Sequence, residues 1–215
     1  MLNKQKGNMY DFVTHTWNVI KGKCEHDCCY CYMKRFPQGK LRLDEKELKV
    51  NLGNSNYIFV GSSTDMFAND IPDEWIDRIL YKCREFPQNT YLFQSKNPQR
   101  FINFMNMFPE HSILGTTMET NRDTNKISKC PTPFERALVM KAIHNLGMQT
   151  MISIEPVMDF DVALFANLIK EISPEFISIG ADSKNSKLEE PSKAKLESLI
   201  AILKDGGIKV ILKDN

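Results

Sequence analysis

Short apolar runs rich in β-branched and aromatic residues alternate along the chain with segments whose apolar positions recur at helical spacing. The runs at 11–17, 57–61, 90–94, 112–118, 149–154, 175–179 and 208–212 have the continuous apolar character of parallel strands buried on both faces. The helical segments between them carry start and stop signals. Pro72-Asp73-Glu74 opens one in which Trp75, Ile76, Ile79, Leu80 and Cys83 share a face. Asn97 and Pro98 offer an N-cap and a first-turn proline before Phe101, Ile102, Phe104 and Met105, which read as core. Thr132-Pro133-Phe134-Glu135 has capping-box spacing, and Gly147 stands where that helix should end. Helices are also predicted over 162–172 and 192–203, the second stopped by Gly206-Gly207. Such alternation with right-handed crossovers gives an α/β fold, either a doubly wound sheet or a (β/α) barrel, and periodicity does not separate the two.

With 215 residues, 42% of them hydrophobic, the chain is expected to form one domain, 1–215, around one core. A formal net charge of +1 argues against strong non-specific attraction to nucleic-acid phosphates, while leaving a base, a nucleotide or a short single strand free to reach a local pocket. Residues 1–11 are polar and lack the apolar core of a signal peptide. No apolar stretch approaches the length of a membrane span, so no membrane partner is expected. Four of the six cysteines fall within eight residues, which is metal spacing and not a disulfide framework, and a reducing cytoplasm suits them.

Those cysteines carry the chemistry. Cys24, Cys28 and Cys31 form a C-x3-C-x2-C run, Cys24-Glu25-His26-Asp27-Cys28-Cys29-Tyr30-Cys31-Tyr32, shortly after the first predicted strand. A [4Fe–4S] cluster usually takes four thiolates, so three on one tight loop leave an iron without a protein ligand. An open metal position marks a catalytic site. The alternative is a zinc site made by Cys24, Cys28 and Cys31 with Cys29 or His26. Zinc loops usually pair two knuckles distant in sequence, and here Cys83 and Cys130 lie alone.

The spacing, with Tyr30 directly before the last cysteine, resembles the cluster motif of the radical SAM superfamily. The resemblance implies a partial (β/α) barrel of about six to seven parallel strands, with the cluster loop after the first. It also implies an open iron that chelates S-adenosyl-L-methionine (SAM), and one-electron cleavage of SAM to a 5′-deoxyadenosyl radical. Tyr30 takes the place of an aromatic packed near the adenine, and Cys29 is a bystander beside the cluster or an exchange ligand under oxidation.

Chemistry in an α/β barrel sits at the C-terminal ends of the strands. Members of the superfamily often carry Gly-Gly-Glu after the second strand, to accept from the SAM amino group. This chain departs from that with Gly61-Ser62-Ser63-Thr64-Asp65, whose Ser62, Ser63 and Asp65 can do the same work or simply form a turn with an aspartate cap. Further cofactor candidates are Lys96, for the SAM carboxylate or as a solvated loop charge; Thr116, Thr117 and Glu119 after the fourth strand, with Glu119 for the ribose hydroxyls; and Arg136, which can also reach the carboxylate or form a surface ion pair. Glu155 follows a buried run in Ser153-Ile154-Glu155-Pro156, where burial demands partners. Glu155 and Asp182 are the substrate-facing catalytic candidates, with Lys213 and Asp214 beside them. His15 and Trp17 on the first strand are ambiguous, a histidine on a buried strand being more often a satisfied core residue than a catalyst, and segments 121–130 and 182–191 read as lids or substrate loops.

The segments 58–67 (Ile58-Phe59-Val60-Gly61-Ser62-Ser63-Thr64-Asp65-Met66-Phe67), 71–78 and Ser153-Ile154-Glu155-Pro156 resemble a small phage- and bacteria-encoded radical SAM family. That family is loosely related to spore photoproduct lyase, and the likeness runs from about Trp17 to the C-terminus. Where it carries Gly-Gly-Glu-Ser, this chain has Gly180-Ala181-Asp182-Ser183. The kinship implies a ferredoxin or flavodoxin as reductant and a nucleobase, nucleotide or DNA substrate. A modified thymine altered by an isomerase or lyase step fits, in a host cytoplasm if phage-encoded. Two rivals stand beside it: a non-catalytic iron–sulfur or zinc module, and a metal-free barrel for a phosphorylated metabolite, for which Gly206-Gly207 is too little.

Overall fold

The computed structural model describes residues 1–5 and 9–213, so Asp214 lies outside the described residues. Among the described residues ten strands are formed, in chain order β1 Asn3–Lys4, β2 His15–Trp17, β3 Ile20–Lys21, β4 Arg42–Leu43, β5 Tyr57–Val60, β6 Thr90–Gln94, β7 Ser112–Thr117, β8 Gln149–Ile154, β9 Phe176–Ile179 and β10 Lys209–Leu212. Eight of them make one sheet in the order β1-β2-β5-β6-β7-β8-β9-β10. β1 is antiparallel to β2, and every other pairing in that sheet is parallel. The fold is therefore α/β, a partial (β/α) barrel in which chain order and spatial order coincide.

Each crossover carries its helix: α1 Glu45–Leu48 and, after β5, α2 Asp73–Arg84; then, after β7, β8 and β9 respectively, α3 Pro133–Asn145, α4 Val162–Ile172 and α5 Lys193–Asp205. The capping box of α3 is present in both halves, with Thr132 Oγ1 accepting from Glu135 N and Glu135 accepting from Thr132 N. Gly147, at a φ of +86°, takes the left-handed position past its end. After β6 the expected α-helix is a 3₁₀ helix, Pro98–Met107. Asn97 does not cap it; its amide donates instead to Phe67 O (3.1 Å) and Asn69 Oδ1 (2.9 Å).

Alternation along the strands divides the apolar residues into two cores. The outer rows, such as Ile58 and Val60, Tyr91 and Phe93, Leu114, and Ile152 and Ile154, are buried against the helices. Leu92, Ile113, Met151, Phe59 and Phe176 face the barrel interior and meet Tyr10, Val13, Met9 and Phe12 from the N-terminal segment.

That second cluster corrects the first predicted strand, which is three residues long and not seven. A turn closed by Val13 N to Tyr10 O (3.0 Å) lifts residues 10–13 out of the sheet, and Thr14 N begins the pairing by donating to Tyr57 O. The apolar character of 11–13 comes from plugging the barrel. Phe12 stacks on Tyr10 at 5.2 Å between centroids and meets Phe176 edge-on at 5.1 Å. Trp17 is fully buried, whereas His15 is half-buried with Nδ1 2.9 Å from Thr14 Oγ1. No helix among the described residues is long and apolar enough to cross a membrane.

Candidate active site

The inward rows of the barrel change character partway along each strand. Leu92 is followed two residues on by Gln94, Met151 by Ser153 and then Glu155, and Phe176 by Ser178 and then Gly180. Period-two alternation keeps these on the same face, so an apolar lower layer carries a polar upper layer. Above it opens a cavity of about 480 Å³, a volume that accommodates a cofactor-sized ligand.

One wall is the cysteine loop, an excursion from the two-stranded ribbon β3–β4. Gly22 begins it at a φ of +116°, where an added Cβ would sit 2.6 Å from Lys40 O, so the ribbon closes tightly only around glycine. Cys24, Cys28 and Cys31 line the cavity; Cys29 is exposed and does not. Burial, with the charge of Asp65 second, pushes the Cys24 thiol up to about 12, and burial also raises Cys31. Among the described residues no three His, Cys, Asp or Glu side chains converge on a point where one ion could be held. A cubane takes one thiolate per iron, and three thiols on one cavity wall supply that donor set with one iron left open.

The loop is tied to the barrel by Asp65. Its Oδ2 accepts from His26 Nε2 (2.8 Å), Ser95 Oγ (2.9 Å) and Lys96 N (2.8 Å), and its Oδ1 from Phe67 N (2.9 Å). Burial alone would raise this carboxyl, but the His26 bond and charge and the two N–H donors hold it below the usual carboxylate range. Asn18 fixes the preceding turn by accepting from Ser62 Oγ (3.1 Å) and Ser63 N (3.0 Å).

Behind the wall lies a buried charge network. Glu119 and Arg136 are both 0% exposed and pair at 3.0 Å through Arg136 Nη2. Glu119 also accepts from Lys96 Nζ at 2.5 Å and from the Tyr30 hydroxyl, and Arg136 Nη1 donates to Thr117 O. Burial would raise Glu119, but Lys96 and Arg136 drive it far below the usual range. Burial and the Glu119 charge keep the Tyr30 phenol protonated.

The floor is formed by Tyr10, Glu155 and Lys213. Tyr10 OH lies 2.7 Å from Ser153 Oγ and 2.9 Å from Gln94 Oε1. Lys213 Nζ donates to Glu155 Oε1 at 2.7 Å and sits 5.2 Å above the Tyr10 ring. Gly180 admits Glu155, since a Cβ there would lie 3.2 Å from its Cγ and Cδ. Asp182 reaches the rim, with its carboxylate accepting from Lys184 N (3.2 Å) and from Ser186 Oγ (3.1 Å) and N in its own loop.

The structure thus brings Tyr30, Gly61, Ser62, Ser63, Asp65, Lys96, Glu155 and Asp182 to the same cavity as the three cysteines. It does not bring Thr116, Glu119 or Arg136 to the cavity lining. Thr116 points to the helix side and donates to Ser95 O (2.7 Å), and its neighbour Thr117 faces the cavity instead. Arg136 is neither at the mouth nor in a surface pair. Sequence reasoning missed Tyr10, His26 as the partner of Asp65, and the in-strand residues Gln94 and Ser153. The polar switch along each inward row was the signal for the last two. Segment 121–130 is no free lid: Cys29 N donates to Ile127 O and Lys129 N to His26 O, both at 2.8 Å, strapping it across the cysteine loop.

Among solved structures, a variant of spore photoproduct lyase with bound AdoMet and dinucleoside spore photoproduct matches with a TM-score of 0.70 at 9% identity, over 97% of this chain and 78% of that one. The same lyase complexed with the dinucleoside spore photoproduct matches equally, at 8% identity over the same shares. SuiB of Streptococcus suis bound to S-adenosylmethionine matches with a TM-score of 0.62 at 10% identity, over 93% of this chain and 49% of SuiB, so the chain spans about half of that enzyme. These likenesses are of fold. No curated protein matches the chain. A family sequence model covers residues 8–159, and by that match the chain belongs to the family described as "Protein of unknown function (DUF5131)".

Proposed function

We propose that this chain is a radical SAM enzyme, with Cys24, Cys28 and Cys31 as the ligands of a [4Fe–4S] cluster and SAM seated in the cavity beside them. When bound, the cluster supplies the electron that splits SAM reductively into methionine and a 5′-deoxyadenosyl radical, which abstracts hydrogen from the substrate. The observation that carries this reading is the sorting of the loop thiols: the three in C-x3-C-x2-C register face one cavity, and Cys29 does not.

The chain's own groups supply binding and orientation. Ser62 spends its hydroxyl proton on Asn18, which leaves its lone pairs to accept from the SAM ammonium. Lys96 has three donors, and Glu119 takes one, so the others are available to the SAM carboxylate. Tyr30, clamped by Glu119, offers its ring to the adenine. Glu155, paired with Lys213, and Asp182 at the rim face the substrate. Gln94, Ser153 and Tyr10 seal the floor against water from below.

For the substrate the reading is a nucleobase or nucleotide, including a modified thymine in DNA, altered by an isomerase or lyase step in a phage-infected host cytoplasm. The shared fold with a lyase solved on a dinucleoside supports this. A net charge of +1 suits one flipped base better than a long phosphate track. A ferredoxin or flavodoxin is the proposed reductant.

The test is anaerobic reconstitution with iron and sulfide, then dithionite and SAM, with 5′-deoxyadenosine measured by mass spectrometry. Production of 5′-deoxyadenosine is expected. A metal centre whose electron paramagnetic resonance signal ignores SAM, with no 5′-deoxyadenosine formed, refutes the reading in favour of a non-catalytic module. Mass spectrometry of co-purified material tests the substrate class, and a bound peptide in place of nucleotide overturns that part alone.

A further inference from the structure

Among the cavity thiols, Cys28 meets a side-chain hydroxyl: Ser128 Oγ is 3.3 Å from Cys28 Sγ across 100 residues of sequence. Ser128 is 6% exposed and Cys28 is 7% exposed, so solvent does not compete freely for this contact.

The hydroxyl is held in place by several neighbours. Ser128 Oγ accepts from Cys130 N (3.2 Å) and lies 3.0 Å from Cys130 Sγ and 3.2 Å from His26 O. The backbone around it is fixed by Ser128 N to Thr124 O (3.0 Å) and by the strap bonds of Ile127 and Lys129 to the cysteine loop.

Hydrogen bookkeeping gives this arrangement a direction. With Cys28 a free thiol, its S–H can donate to Ser128, and the Ser128 proton goes to Cys130 Sγ or His26 O. A cysteine on iron has no S–H and only accepts. The one Ser128 proton can then turn to Cys28 Sγ while its oxygen keeps the Cys130 N–H bond, so no buried group is left without a partner.

Resting on the proposed cluster, we infer that Ser128 is a positioning residue that donates to the Cys28 thiolate and sets the reduction potential of the cluster. Hydrogen bonds to cluster sulfurs are among the determinants of that potential. A donor stabilises the more negative, reduced state, and so raises the potential. The contact is made by a side chain, so substitution can remove it without moving the backbone.

The experiment compares the wild-type chain, Ser128→Ala and Ser128→Thr after anaerobic reconstitution, with iron and sulfide content and a redox titration followed by electron paramagnetic resonance. Ser128→Ala is expected to keep its iron and lose about tenfold in reduced-to-oxidised ratio at the wild-type midpoint, equal to 59 mV for one electron. Ser128→Thr keeps the hydroxyl and is expected to restore most of it. In wild-type protein exchanged into D2O, pulsed resonance should show a deuteron coupled to the cluster that Ser128→Ala lacks, and the wild-type coupling can be read even if the alanine variant misfolds. An iron-replete Ser128→Ala with an unchanged midpoint, a Thr variant no different from Ala, or no exchangeable deuteron overturns the inference alone. A wild-type chain that binds no cluster overturns the underlying reading as well.

Discussion

Replacing Glu119 with Gln tests the buried charge network without any cofactor. In the wild type the carboxylate is 0% exposed and shared by Lys96 (2.5 Å), Arg136 (3.0 Å) and Tyr30. Lys96 is 13% exposed in its side chain and can turn toward the cavity once released, but Arg136 at 0% has no such route. The variant therefore strands a buried guanidinium, for which the cost is about 3–5 kcal/mol. With a urea slope of about 2 kcal/mol per molar, the unfolding midpoint should fall by roughly 1.5–2.5 M. The surface pair Lys141–Glu171, at 3.3 Å and 46% and 61% exposed, is the control, and Glu171→Gln should change stability by no more than about 1 kcal/mol. Acidification gives a second readout. Because the folded Glu119 carboxyl is depressed, its contribution is fully present above the unfolded value of about 4.3 and is lost only as pH falls toward the folded one. The wild type should lose stability over that acid range more steeply than Glu119→Gln. The assay is urea unfolding followed by circular dichroism at several pH values. A loss below about 1 kcal/mol at neutral pH, or identical acid profiles, would refute the claim that Arg136 depends on this carboxylate.

Other outcomes follow from single contacts. Tyr10→Phe removes the donor to Ser153 and Gln94 in the barrel interior and should cost about 1–3 kcal/mol in the same unfolding assay; no measurable change would mean the plug holds by its ring alone. Gly22→Ala, with its Cβ driven to 2.6 Å from Lys40 O at a φ of +116°, should destabilise by about 1–3 kcal/mol, whereas Gly39→Ala, with nothing nearer than 3.6 Å, should be close to neutral. After reconstitution, Cys24→Ala, Cys28→Ala and Cys31→Ala should each abolish 5′-deoxyadenosine formation, while Cys29→Ala retains it; loss at position 29 as well would add that thiol to the ligand set.

Local rules made much of this molecule readable from its residues. Apolar runs bounded by turns marked all seven parallel strands, because strands buried on both faces need little beyond apolar and β-branched side chains. The Thr132–Glu135 capping box and Gly147 placed α3 for the same reason, since caps act within a few residues. Residues following the strands landed on the cavity at Ser62, Asp65, Lys96, Glu155 and Asp182, as the directionality of a parallel barrel requires.

Contacts between distant segments decided what those rules do not reach. The run at 11–13 has the composition of a strand, and only the packing of Tyr10 and Phe12 against Met151 and Phe176 makes it a plug. Glu119 and Arg136 are ordinary polar residues in sequence, and their burial against Lys96 and Tyr30 is what turns them from cofactor candidates into a shared ion network. Ser128, 100 residues from Cys28, becomes its neighbour because one strap of chain is hydrogen-bonded across the cysteine loop. Periodicity and capping are set by neighbours along the chain, so the residues alone declare them; partnership and burial are set by which strands close beside one another, and that is decided only when the barrel folds.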